Sequence, residues 1–157
     1  MRGLLLCVFL VATGLLGGCR HTWRLTVENT TDRRVAVMYL PPVHVASVGY
    51  PSYVGRVNAT VVEPGATVVL TRDNSRRCEH TFLSHVLYVA PCDDVAAMYE
   101  VRDMPLGGRV FIRREEERFS FATEGGGRGV RAVLVPRGDA RGELMRVDLD
   151  SLCRVQP

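Results

Sequence analysis

Trp23, Leu25 and Val27 alternate with Arg24, Thr26 and Glu28, a period of two that predicts a strand with one greasy and one polar face. Asn29-Thr30-Thr31-Asp32 is a turn cluster, and Val35 to Leu40 reads as the return strand. Pro41-Pro42 ends it, because proline supplies no ladder donor. The stretch to Tyr53 is open, with Gly49 and Pro51 on the side of a loop. Val57 to Val62 and Thr67 to Thr71 are strands joined through Glu63-Pro64-Gly65, where proline presets one φ and glycine permits a positive one.

Asp73 to Arg77 is polar and exposed, and Phe82 to Val89 is the next apolar run. Val95 to Val101 fits either a strand or a helical turn capped by Asp93 or Asp94. Arg109 to Ile112, Phe119 to Ala122, Val130 to Val135 and Leu144 to Leu149 complete the series as further strands, with Gly125-Gly126-Gly127 and Gly138-Asp139 marking tight connections. No long helical period and no internal repeat stands out. Roughly nine short strands at such spacing argue for an all-β fold, an antiparallel β-sandwich. The two opening strands followed by a Pro-Gly turn loosely resemble immunoglobulin-like β-sandwiches, although no Cys-Trp-Cys spacing is present.

The opening of the chain carries a different message. Met1-Arg2-Gly3 is a short positive start, Leu4 to Leu16 is apolar, and Gly17-Gly18-Cys19 follows. This is the layout of a secretory signal, and the apolar run is shorter than the about 20 residues that a transmembrane helix needs. An ordinary cleavage site wants a small residue where Leu16 stands. Leu16-Gly17-Gly18-Cys19 instead resembles the lipobox of bacterial lipoproteins. That resemblance covers residues 1–19 only. It implies a signal peptide over residues 1–18 that is removed, a lipid on the Cys19 thiol that anchors the protein to a membrane, and a single exported domain over residues 19–157. Arg20 in place of Asp implies the outer membrane. An envelope protein is the partner class that such an address implies.

A competing reading rests on Asn29-Thr30-Thr31 and Asn58-Ala59-Thr60, both N-glycosylation acceptor patterns in a chain with three Asn. It makes the protein a secreted, disulfide-containing glycoprotein with sugars on Asn29 and Asn58. Cys7 leaves with the signal. With Cys19 lipidated, Cys78, Cys92 and Cys153 remain as disulfide candidates, and three thiols cannot all pair internally. An unbroken strand from Phe82 to Val89 would span about 25 Å. Its ends are then too far apart for a Cys78–Cys92 bridge, which needs Cα atoms within about 7 Å. Either the chain bends near Ser84-His85, or Cys153 ties back to Cys78 or Cys92.

Composition adds exclusions. Hydrophobic residues make up 46% and charged residues 24% of the 157, which suits one globular domain rather than a disordered or multi-span chain. All twenty basic residues are Arg. They are interleaved with 17 acidic residues to a net charge of only +3, which argues against a nucleic-acid partner. Cys78, His80, His85 and Cys92 have zinc-ligand types without zinc-ligand spacing, so no metal is expected. Arg113-Arg114-Glu115-Glu116-Glu117-Arg118 reads as a solvated hairpin end. Gly125-Gly126-Gly127-Arg128-Gly129 lacks the lysine and hydroxyl of a phosphate loop. Adjacent Asp93 and Asp94 face different ways, and no nucleophile lies near a base, so no catalytic residue and no cofactor is assigned. Trp23, Tyr39 and Tyr88 suit a core or an interface.

Overall fold

A computed structural model describes residues 23–40, 58–73, 86–104, 107–124 and 130–154. They form β1 (Trp23–Asn29), β2 (Val35–Leu40), β3 (Asn58–Val62), β4 (Thr67–Asp73), β5 (Val86–Pro91), β6 (Tyr99–Arg102), β7 (Arg109–Glu115), β8 (Arg118–Thr123), β9 (Arg131–Leu134) and one helix, α1 (Ala140–Arg154). The strands build two sheets, ordered β4-β1-β7-β8 and β3-β2-β5-β6-β9, the all-β sandwich that the alternating pattern predicts. Every pairing is antiparallel except that of β1 with β7, where Val27 lies beside Val110 and both strands run the same way.

The core follows the period-two pattern. Leu25 and Val27 of β1, Val35, Val37 and Tyr39 of β2, Leu87 and Val89 of β5, and Val110 and Ile112 of β7 point between the sheets. Burial of each such side chain stabilises the fold by about 1.5–3 kcal/mol. β2 and β5 are buried at every position from Val35 to Tyr39 and from Leu87 to Pro91. Their alternate residues Ala36, Met38, Tyr88 and Ala90 face a second cluster, with Met98, Val135 and Leu149, on the other side of the five-stranded sheet. The continuous apolar runs of these strands are thus explained: both faces are covered.

What covers the second face is α1, and here the expected strand Leu144 to Leu149 is corrected. Met145, Leu149, Leu152 and Cys153 recur at helical spacing against the sheet, while Leu144 and Val147 face outward. Asp139 caps the helix, its Oδ1 accepting from the N–H of Arg141 at 2.9 Å and of Gly142 at 3.3 Å. Glu143 reaches back to accept the Gly138 N–H at 3.2 Å. The side chain of Arg146, only 8% exposed, gives Nη2 to the carbonyls of Val135 and Pro136 at 2.5 and 3.0 Å. Its Nη1 pairs with Glu143 at 3.2 Å. The helix is therefore clamped to the end of β9.

The clamp needs a glycine. A Cβ on buried Gly142 would stand 2.6 Å from Val135 Cγ1. Alanine ordinarily gains about 1 kcal/mol over glycine inside a helix. Here the clash with a stiff β-branched side chain wins, and Gly142→Ala is expected to lose about 1–2 kcal/mol in urea unfolding. In a Val135→Ala background the same substitution becomes neutral or stabilising, because the obstructing methyl is gone.

Strand directions follow from the pairings and the short turns. The start of β1 lies at the same end as Leu40, Asn58, Asp73, Arg102, Arg109 and Arg131. The opposite end carries the turns at residues 30–34, 63–66, 92–98 and 116–117. The predicted Glu63-Pro64-Gly65 turn is there, with Gly65 at φ 71° and the Ala66 N–H donated to Glu63 O at 3.0 Å. Residues 92–97 are a turn and the strand starts only at Tyr99, so the strand reading holds for the end of the Val95–Val101 stretch alone.

Candidate functional site

Cys92 follows β5 and Cys153 lies in the last turn of α1, and the two are joined by a disulfide with Cα atoms 5.4 Å apart. Of the pairings left open by the sequence, the bridge from the C-terminal cysteine back to Cys92 is the one formed. Cys19, Cys78, His80, His85 and Gly125 to Gly129 lie outside the described residues. Among the described residues no group of three or more His, Cys, Asp or Glu gathers as metal ligands.

Asn29 and Asn58 sit in opposite surroundings. Asn58 is exposed at the start of β3. Asn29 is fully buried, with Nδ2 donating to Arg33 O at 2.7 Å and to Val62 O at 3.0 Å. Its Oδ1 accepts from the Thr31 N–H at 3.1 Å and the Thr31 hydroxyl at 2.6 Å. Both hydrogens of the nitrogen that would carry a glycan are spent inside the fold. Tyr39 and Tyr88 are core residues at 1% and 2% exposure. The Arg113–Arg118 run is the exposed tip of the β7–β8 hairpin, where Glu115 faces Arg118 and Arg114 lies 3.6 Å from Asp32. Asp93 is tied to Arg33 at 2.6 Å.

Concave surfaces among the described residues include a dish of about 280 Å³ at the disulfide, between Arg33, Arg34, Cys92, Asp93 and Cys153, and two others. One, of about 500 Å³, is a broad polar dish between Thr30, Thr31, Asp32, Arg113, Arg114 and Glu116, in which Asp32 and Arg114 pair with each other. The other, of about 270 Å³, is a groove between the N-terminus of α1 and the face of β6 and β9. Val133, Val135 and Pro136 make its apolar floor, and Glu100, Arg102, Arg131 and Asp139 its polar rim. The second has the more ligand-like lining, since an apolar floor with a few placed polar groups is what ligand sites share.

The rim is fixed by an internal network. Tyr88 lies under it and donates its hydroxyl to Glu100 Oε2 at 3.0 Å. Burial holds the Tyr88 phenol above the ordinary tyrosine range, partly opposed by Arg141 and reinforced by the bond to Glu100. Glu100 Oε1 accepts from Arg102, and that bond holds the guanidinium above its usual value. Arg131 lies 3.7 Å from Asp103. Both carboxylate oxygens of Glu100 are thus engaged, and the charged rim stands around an apolar floor.

The groove is not legible in the sequence, because its parts are distant in the chain and its wall is α1, where the residue pattern predicts a strand. The Pro136-Arg137-Gly138-Asp139 run, a stop followed by a cap, was the available signal. Compared with protein-family models, with curated proteins and with solved structures, the chain finds no match in any of the three.

Proposed function

We propose that the protein is a lipid-anchored envelope protein and a non-catalytic binding or structural module, exported by residues 1–18 and held to the outer membrane through Cys19. The observation that carries the export part is the Cys92–Cys153 disulfide, since such bridges persist in oxidising compartments and are rare where thiols are kept reduced. The position of Cys19 adds to it. Three residues lie between Cys19 and Trp23 at the start of β1, a tether of at most about 14 Å over four Cα steps. Acylation there would turn the strand ends that include Arg102, Arg109 and Arg131 toward the lipid headgroups. The turns at residues 30–34 and 92–98 would face away. Two or more acyl chains hold such a domain firmly, at about 0.8 kcal/mol per buried methylene.

The binding part rests on the apolar groove beside β9. The buried amide of Asn29 weighs against the secreted-glycoprotein alternative, which keeps only Asn58 as an accessible acceptor. Metabolic palmitate labelling distinguishes the two. Wild-type protein is expected to take up label and Cys19→Ala to take up none. Label that survives the substitution, or a mature protein with an unacylated amino terminus, overturns the anchor. A glycosidase-sensitive shift in native protein establishes the alternative in its place.

A further inference from the structure

Among the described strands β9 is the outer one of its sheet, and all four of its residues, Arg131 to Leu134, are exposed. Its backbone groups divide by parity. Val135 donates its N–H to Met98 O at 2.9 Å, and the pairs Tyr99 with Leu134 and Glu100 with Val133 continue that register. Hydrogen-bonded and non-hydrogen-bonded pairs alternate along an antiparallel ladder. Arg131 and Val133 therefore spend their N–H and C=O groups on β6, and those of Ala132 and Leu134 point out of the sheet edge. Edge strands are ordinarily guarded by charge, proline or a bulge. After Arg131, β9 consists of Ala132-Val133-Leu134, with Val133 and Leu134 at 48% and 54% exposure.

We propose that β9 pairs with β9 of a second copy of this chain, antiparallel about a two-fold axis beside Val133, so that the two five-stranded sheets become one. The register follows from which groups are available. With Ala132 facing Leu134 of the second copy, all four outward N–H and C=O pairs of the two strands close. A register shifted toward the strand end meets Pro136, which has no N–H. One shifted toward its start sets Arg131 against Val133. In the centred register Val133 meets its own counterpart on the groove side, and Leu134 covers the small Ala132 of the second copy on the Tyr99 side. Such apolar cross-strand pairs are the unit of sheet stabilisation. Arg131 comes opposite Val135 of the second copy, whose groove is lined also by Asp139, so opposite charges approach at both ends of the joint. Large against small and Arg against Asp are supplied by one strand and its own groove, which favours a second copy over a foreign peptide. The pairing does not depend on the lipid.

Single cysteines in the full chain test the register. In Val133→Cys the two Cα atoms stand about 4.5 Å apart in a non-hydrogen-bonded pair, within disulfide reach. A crosslinked dimer is expected on non-reducing gels, with a peptide map joining the two introduced thiols. In Leu134→Cys the thiols are diagonal, about 7–8 Å apart, and the crosslinked fraction is expected to fall about tenfold. Adding Leu134→Pro to Val133→Cys removes an outward N–H without touching the β6 ladder, and is expected to abolish the crosslink while circular dichroism stays that of the folded sheet. No crosslink at position 133, equal crosslinking at 133 and 134, or capture of a different protein or of another segment of the same chain at position 133 each overturns the proposal.

Discussion

Opening the Cys92–Cys153 bridge is expected to remove about 4 kcal/mol of stability, by the loop-closure account for a separation of 61 residues. That is a large share of the about 5–15 kcal/mol by which a domain is ordinarily stable. Its location says which layer suffers first. A helix of 15 residues is marginal by itself in water, so α1 depends on its contacts with the sheet. Those contacts are Met145, Leu149, Leu152, the Arg146 clamp at one end and the disulfide at the other. Denaturant titration of the Cys92→Ala/Cys153→Ala double variant, and of wild type with and without reductant, measures the loss. A helical signal that falls at lower denaturant than the near-ultraviolet signal of the sandwich core is the expected pattern in the reduced protein. A midpoint unchanged by reduction would show that the bridge constrains nothing the sheet does not already fix.

Asn29→Ala is expected to cost about 2–4 kcal/mol, because it leaves the buried Thr31 N–H without its acceptor and takes a donor from the carbonyls of Arg33 and Val62 at once. The residue joins three things. It ends β1, it shapes the turn to β2 through Thr31, and through Val62 O it ties that turn to β3 in the other sheet. Its backbone extends the tie, with N–H donated to Ala66 O at 3.0 Å and O accepting from Gly65 at 2.8 Å. Asn29→Asp separates hydrogen bonding from shape. The isosteric carboxylate has no hydrogen to give and sets a buried charge against the oxygens of Arg33 and Val62, so its loss is expected to exceed that of alanine. Urea unfolding with an unchanged slope checks both. Equal stability of the aspartate variant and wild type would show that the donor bonds contribute little.

The alternation of Trp23 to Glu28, the Pro41-Pro42 stop and the Pro64-Gly65 turn determined strands and an all-β class from the sequence alone, because side-chain period and turn chemistry are local properties. The resemblance of Leu16-Gly17-Gly18-Cys19 to a lipobox is likewise a linear pattern, and the leader and anchor it implies stand as a proposal. The length of the Phe82–Val89 run already weighed against a Cys78–Cys92 bridge. Tertiary structure decided the rest. Whether Leu144 to Leu149 forms strand or helix depended on a vacant apolar face, that of Ala36, Met38, Tyr88 and Ala90, which accepts a helix whose cap, Asp139, sits beside a glycine that lets it approach. The outer position of β9 among the described strands and the groove beside it exist only once strand order is set, since no residue announces in sequence which strand lies beside it. The acceptor pattern at Asn29 shows the same limit: three letters specify a possible modification, and burial of one amide nitrogen decides whether the fold leaves it within reach.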